Sequence, residues 1–224
     1  MRTYALQPGG FNSQAQFCAH THGVAAPASS LPSADVVPVG SVEWTREYAA
    51  RLRINLGDPA TYPEPLRDFL LREVRASRYG RAKPHQFVKP MRCKAFTGGI
   101  RSTIAEAVAE DERVWISEPV EFTAEWRCYV LRGEVVGVGR YDDGCPDEAE
   151  PDMAVVGAML AAWPGPAGWA LDVGLLADGR TALVEVNDAW ALGYYHEGCS
   201  RQAYLDVIAA RWDQIVALGT WGGK

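Results

Sequence analysis

The sequence predicts an α/β (α+β) protein, with mainly antiparallel strand pairs in residues 81–224 and a small αβ unit in residues 1–80 before them. Three observations carry this reading. Asp178-Gly179 separates two apolar runs within 169–190, and Asp-Gly is the pair that a two-residue type I′ turn requires. Arg132-Gly133 separates a second pair of strand-like runs, 125–131 and 135–141. The first 80 residues instead alternate short apolar runs with helical patterns.

In chain order, Tyr4-Ala5-Leu6 reads as a short strand before the Pro8-Gly9-Gly10 break, and 12–24 as a helix. Pro, Ala and Ser over 25–34 mark a loop. Residues 35–39 read as a strand, with Pro38 suited to an edge or a strand end. Ser41 then caps a helix whose Trp44, Tyr48 and Leu52 form a core stripe. A second helix over 64–77 turns Leu66, Phe69, Leu70 and Val74 inward. Strands follow at 86–90 and 114–117, with a helix between them that starts at Ser102 and runs to Glu112. Asp152 caps a helix carrying Val156 and Met159, which Pro164-Gly165-Pro166 ends. Ser200 caps the last helix, with Tyr204, Ile208, Trp212 and Ile215 as its buried stripe.

The hairpin at 169–190 concentrates the chemistry. A two-residue turn at Asp178-Gly179 sets Ala177 opposite Arg180, Gly174 opposite Leu183 and Asp172 opposite Glu185. Asn187 shares their face, because side chains alternate with period two. Leu171, Val173, Leu175, Val184 and Val186 then form the core face. Two carboxylates at roughly 5 Å, in an effective dielectric of about 20, repel by about 3 kcal/mol. A positive group is therefore expected between them, and carboxylate and amide oxygens are the ligands of a hard divalent cation. A solvated polar face is the plain alternative.

On the 125–141 hairpin, Glu125 and Arg127 share a face by alternation, and a two-residue turn at either 132–133 or 133–134 adds Arg140 to it. The planar guanidinium fork suits phosphate or carboxylate, which makes both arginines candidates for an anionic ligand. An ion pair between Arg127 and Glu125 is the structural alternative. Lys89, at the end of the 86–90 strand, precedes the glycine-bearing turn Lys94-Ala95-Phe96-Thr97-Gly98-Gly99, an arrangement able to neutralise and approach phosphate oxygens. Neither GxGxxG nor GxxxxGK[ST] occurs, which argues against dinucleotide-binding and P-loop folds.

Composition narrows the class. The 224 residues are 48% hydrophobic and 22% charged, ordinary for a globular chain able to bury a full core. No apolar run is long enough to span a bilayer, and MRTYALQPGG lacks the apolar segment of a signal peptide, so a cytoplasmic protein with no membrane partner is expected. Five widely spaced cysteines without a CxxC fit reduced thiols. A net charge of −6 argues against nucleic acid as a partner. Nine basic residues against two acidic ones between Arg67 and Lys94 suggest a compact anionic ligand.

DVG…DG…LVEVND and FVKP…KAFTGG resemble the ATP-grasp superfamily, and the lysine strand, hinge, arginine strands and metal hairpin stand in that family's order. The chain looks like a small bacterial or phage-type member. The resemblance implies an ATP-grasp fold, two lobes of mainly antiparallel sheet enclosing Mg·ATP, in 81–224 behind the N-terminal unit. It implies that Asp172, Glu185 and Asn187 hold Mg²⁺ and that Lys89 binds the α and β phosphates. Lys94, Thr97 and Gly98 of the covering loop and Glu125 join the nucleotide contacts. Glu118 and Val120 face adenine and Glu121 the ribose, with Pro119 removing one backbone donor. Arg127 and Arg140 then stabilise phosphoryl transfer.

The family's usual reaction joins a carboxylate to an amine or other nucleophile through an acyl phosphate. The partner is accordingly a carboxylate-bearing small molecule or a peptide or protein. A small-molecule kinase and a non-catalytic ATP-binding module are the alternatives. The aromatic loop 188–199 lacks the Asn-Pro-Gly common at this point in the family. It lines a substrate pocket through His196 and Glu197, or packs through Trp190, Tyr194 and Tyr195.

Overall fold

A computed structural model describes residues 2–9, 13–26, 30–142, 149–195 and 198–218. Cys145, His196 and Glu197 lie outside the described residues. The N-terminal unit contains β1 (Thr3–Leu6), α1 (Ser13–His22), β2 (Val24–Ala25), β3 (Val37–Val39) and α2 (Val42–Arg51). Its three strands are parallel in the order β2-β1-β3. Ser41 caps α2 as its sequence suggests, its hydroxyl accepting the Trp44 N–H at 3.1 Å.

Two four-stranded antiparallel sheets follow. The first contains β4 (Val74–Arg78), β5 (Phe87–Pro90), β6 (Gly99–Ile100) and β7 (Arg113–Ser117), in the order β4-β7-β5-β6. The second contains β8 (Phe122–Leu131), β9 (Glu134–Arg140), β10 (Gly168–Leu176) and β11 (Thr181–Asp188), in the order β11-β10-β8-β9. Residues 118–121 link β7 to β8 and so join the two sheets. Helices α3 (Met153–Ala162) and α4 (Arg201–Ala217) start at Asp152 and Ser200, whose side chains accept the Ala154 and Ala203 N–H groups.

Two expected helices do not form. The 64–77 segment makes only a 3-10 turn, Glu64–Leu70, which Leu71 ends in the left-handed region at φ 50°. Val74 to Arg78 then runs as β4 along β7, so this strand ahead of residue 81 belongs to the lysine sheet. After Ser102 there is only a 3-10 turn, Arg101–Thr103. The Glu110 and Glu112 carbonyls accept the Gly80 and Tyr79 N–H groups at 2.9 Å, a use of the backbone that competes with a helix.

Cores lie on both faces of the second sheet. One face packs Trp126, Leu171 and Val173 against Leu66, Leu70, Val156 and Met159. The other packs Tyr129 and Ala170 against Tyr204, Ile208 and Trp212 of α4, and this core continues into Tyr4, Val37 and Tyr48 of the N-terminal unit. A third, smaller core joins Tyr79, Val88, Val114 and Ile116 in the lysine sheet. Among the described residues no helix is long and apolar enough to cross a membrane.

Candidate active site

Beyond the row of Tyr129, Ala170 and Asn187, the second sheet carries a polar row. Asp172 stands between two cross-strand partners, Arg127 on β8 and Glu185 on β11. Arg127 donates two parallel bonds to Asp172, Nε to Oδ1 at 2.8 Å and Nη2 to Oδ2 at 2.7 Å. Asn187 Nδ2 adds a third at 2.8 Å. Asp172 is 2% exposed and Arg127 8%. Burial opposes charge on Arg127, and Asp172 outweighs it, so the guanidinium is held above its ordinary range.

The Asp172–Glu185 opposition expected from the sequence is present, but its route differs. Leu176 and Arg180 close the hairpin, the Leu176 N–H donating to the Arg180 carbonyl at 2.9 Å across a loop of 177–179. Only Gly179 in that loop takes a positive φ, 86°, where a two-residue type I′ turn needs two such residues. The register then places Val173 opposite Leu183 and Gly174 opposite Ala182, and shifts between Asp172 and Val173. Val184 is the extra residue of a β-bulge. The two displacements cancel at Asp172. The core face changes accordingly: Leu183 is fully buried with Leu171 and Val173, while Val184 is only half-buried.

A bulge in the neighbouring pair has the opposite effect on Arg140. Arg132 and Gly133, at φ 50° and 87°, form the tight turn expected there. The β8–β9 register then shifts between Tyr129 and Val130, leaving Val136 as the extra residue. Arg140 consequently lies opposite Trp126, on the face away from Arg127, with its guanidinium 5.7 Å from the Trp126 ring and bound to Asp142 at 2.9 Å. Tyr141 turns to the site instead and its hydroxyl donates to Glu125 at 2.6 Å. Glu125 pairs with Tyr141 and not with Arg127. Burial pushes the Glu125 carboxyl up; the Tyr141 hydrogen bond opposes this, and Asp172, Asp142 and Glu185 add to the rise.

Tyr195 of the 188–199 loop and Tyr141, which follows β9, cover Arg127. Its guanidinium carbon lies 5.1 Å from the Tyr195 ring and 5.9 Å from Tyr141, and the two rings stack at 5.2 Å. The Tyr129 hydroxyl donates to the Gly193 carbonyl at 3.1 Å and accepts the Tyr195 N–H at 2.8 Å. Trp190 and Tyr194 are buried, so packing is their role, and Asp188 is held by Arg211 of α4.

From the lysine sheet, Lys89 reaches across to Glu185 and forms an ion pair with it. Burial lowers the Lys89 pKa, yet Glu185 and Tyr62 more than offset this and hold the ammonium above its ordinary value. Tyr62 packs edge-on against Trp115, the cross-strand neighbour of Lys89, at 5.2 Å. Lys94, Thr97 and Gly98 are exposed in the loop between β5 and β6, with Lys94 at φ 57° and the Thr97 N–H bonded to Glu106 at 3.3 Å. Glu118, Val120 and Glu121 are exposed on the linker, and Glu118 accepts the Glu73 N–H at 3.3 Å. The sequence thus yields a convergent set of Lys89, Arg127, Asp172, Glu185 and Asn187. The parts played by Tyr62 and Tyr141 had no local signal, since each reaches the site from a separate segment, whereas Tyr195 belongs to the aromatic loop that the sequence marks.

The donor chemistry fits a hard cation. Glu185 offers a carboxylate, and Asn187, by turning Nδ2 to Asp172, directs its amide oxygen elsewhere. Among the described residues no group of three or more His, Cys, Asp or Glu could hold a metal; two carboxylates, Asp172 and Glu185, stand here with the Asn187 amide beside them. Lys89 must yield Glu185 for a cation to bind there.

The fold agrees with the similarities to known proteins. The chain belongs to the family described as ATP-grasp domain, R2K clade family 2, whose model matches residues 69–207. Among solved structures it resembles the D-cycloserine synthetase DcsG, at 15% identity and a TM-score of 0.57, over 97% of this chain and 99% of that one. It also resembles carboxyaminoimidazole ribonucleotide synthase from Aspergillus clavatus complexed with ATP, at 15% identity and a TM-score of 0.54, over 96% and 79% of the two chains. At that identity these likenesses establish the fold alone. No curated protein matches the sequence.

Proposed function

We propose that the protein is a Mg·ATP-dependent ligase that activates a carboxylate as an acyl phosphate and joins it to an amine or other nucleophile. The observation that carries this is the convergence of Lys89, Arg127, Asp172, Glu185 and Asn187 from two sheets joined by the short 118–121 linker. Lys89 binds the α and β phosphates once it leaves Glu185. Arg127, fixed by Asp172 and covered by two tyrosine rings, presents fixed positive charge where charge spreads over the transferred phosphoryl group. Glu185 and Asn187, with Asp172, hold Mg²⁺, which when bound neutralises phosphate charge. Glu118 and Val120 on the linker contact adenine, Glu121 the ribose, and Lys94, Thr97 and Gly98 cover the phosphates. Arg140, engaged with Asp142 on the opposite face, receives no catalytic role.

Calorimetric titration of ATP in Mg²⁺ and in EDTA, on wild type and Glu185→Gln, tests the site. Magnesium-dependent binding that the substitution weakens at least about tenfold is expected, the loss of one charged ligand interaction. No binding in either condition would overturn the reading. The reaction itself is tested by release of ADP and phosphate that requires both a carboxylate and an amine. A stable phosphorylated product without amine would identify a kinase instead.

A further inference from the structure

The residue that holds the Val184 bulge lies outside the polar row. In a regular strand, consecutive carbonyls point to opposite edges. Here one guanidinium binds two in succession: Arg72 Nη1 donates to the Leu183 carbonyl at 2.8 Å and Nη2 to that of Val184 at 3.0 Å. Both carbonyls therefore face the outer edge of β11, which is the geometry the extra residue creates. Nη1 also donates to the Leu70 carbonyl at 3.0 Å, tying the bulge to the 3-10 turn, and the Phe122 ring lies 5.7 Å from the guanidinium carbon. Leu71, in the left-handed region immediately before, turns the chain at this point.

The bulge decides which way Glu185 faces. Leu183 and Val186 both enter the core beside Leu171. Strict alternation from Leu183 would send Glu185 and Asn187 into that core as well. The extra residue reverses the phase, so Glu185 and Asn187 reach the cleft while Leu183 and Val186 stay buried. We propose that Arg72 is a positioning residue for the metal-binding pair: by binding the Leu183 and Val184 carbonyls together it fixes the bulge that turns Glu185 and Asn187 toward the nucleotide. This rests on the Mg·ATP reading given above.

The test uses ADP as the probe and MgCl₂ as the variable, on wild type, Arg72→Met and Arg72→Lys. Methionine keeps an apolar stem over Phe122 and removes the fork; lysine keeps the charge but cannot present two parallel donors. The MgCl₂ concentration for half-maximal ADP binding should rise at least about tenfold in Arg72→Met and by an intermediate factor in Arg72→Lys, as for loss of charged hydrogen bonds. ADP binding in EDTA should stay within about twofold, because Lys89 and the linker are untouched. Deleting Val184 in the Arg72→Met background restores alternation without a bulge and should recover the magnesium response. Unchanged magnesium dependence in the folded variants would overturn the proposal. So would an equal loss of binding in EDTA, or collapse of the fold in both substitutions, since either makes Arg72 a general stability residue. Failure of the wild type to bind ADP with magnesium would instead remove the ligase reading beneath it.

Discussion

Lys89 and Glu185, 96 residues apart in the chain and on different sheets, form an ion pair whose side chains are only 24% and 21% exposed. With Arg127 on Asp172, each of these two facing carboxylates has its own cation, which relieves the repulsion they would otherwise feel.

Lys89 therefore competes with any metal for Glu185. Lys89→Met should tighten Mg²⁺ binding to the nucleotide-free protein by roughly tenfold, the scale of a partly buried ion pair of about 1–2 kcal/mol. The same change should weaken ATP binding at least about tenfold through loss of a charged phosphate contact. Titrating MgCl₂ with and without ATP reads both. Equal metal affinity in variant and wild type would show that the lysine does not compete.

The Arg127–Asp172 pair is buried on both sides, so removing one partner strands a charge. Arg127→Met should cost about 3–5 kcal/mol of stability in urea unfolding. Adding Asp172→Leu should recover most of it, since an apolar pair has no charge left to desolvate. A double variant no more stable than the single one would place the cost elsewhere, in the aromatic cover.

The parts of the site legible in the sequence were those set by residue type and by turns. Alternation and the Asp-Gly turn put Asp172, Glu185 and Asn187 on one face, and Lys89 and Arg127 stood out as strand cations. Bulges were invisible. A turn longer than the Asp-Gly pair exchanged Val184 for Leu183 in the core, and the bulge at Val184 then offset it and left Asp172 opposite Glu185. The other bulge, at Val136, moved Arg140 to the far face although the turn at Arg132-Gly133 is one of the two that the sequence allows. A bulge depends on which backbone groups find partners across the fold, as with Arg72 and β11, and no local pattern records that. The 64–77 segment failed for a related reason: its helical spacing was overridden by pairing with β7.

Glu125 gives the site a pH signature. Its carboxyl titrates above the ordinary 4.5 in the folded chain, first because it is buried. Between the two values the folded state binds the extra proton, so this contribution to stability is complete below 4.5 and is lost as pH rises through the folded value. Solvent screening of a half-exposed carboxyl keeps the effect under about 1 kcal/mol. Glu125→Gln should flatten the fall in stability that this group causes above pH 4.5, read by urea unfolding. An unchanged slope would assign it to another group.

Burial also sets the order of thiol reactivity. It pushes Cys18 up to about 11 and Cys128 and Cys199 up to about 12. Cys93 is half-buried and raised as well. At pH 8 iodoacetamide should modify Cys93 well before the other three, a ranking that mass spectrometry of the native protein reads directly. Equal labelling of all four would contradict the packing on the two faces of the second sheet.

The shared core at α4 has a consequence for how the molecule melts. Trp212 donates its indole N–H to the Ala34 carbonyl at 2.8 Å and meets the Tyr48 ring at 6.1 Å, while Thr61 accepts the Val186 N–H at 3.0 Å. The opening residues thus close the hydrophobic seam of the last helix and stitch the free edge of β11. Neither half can loosen alone without exposing the other's apolar surface, so thermal denaturation should proceed as a single cooperative event, and the nucleotide cleft gains its rigidity from residues at the far end of the sequence.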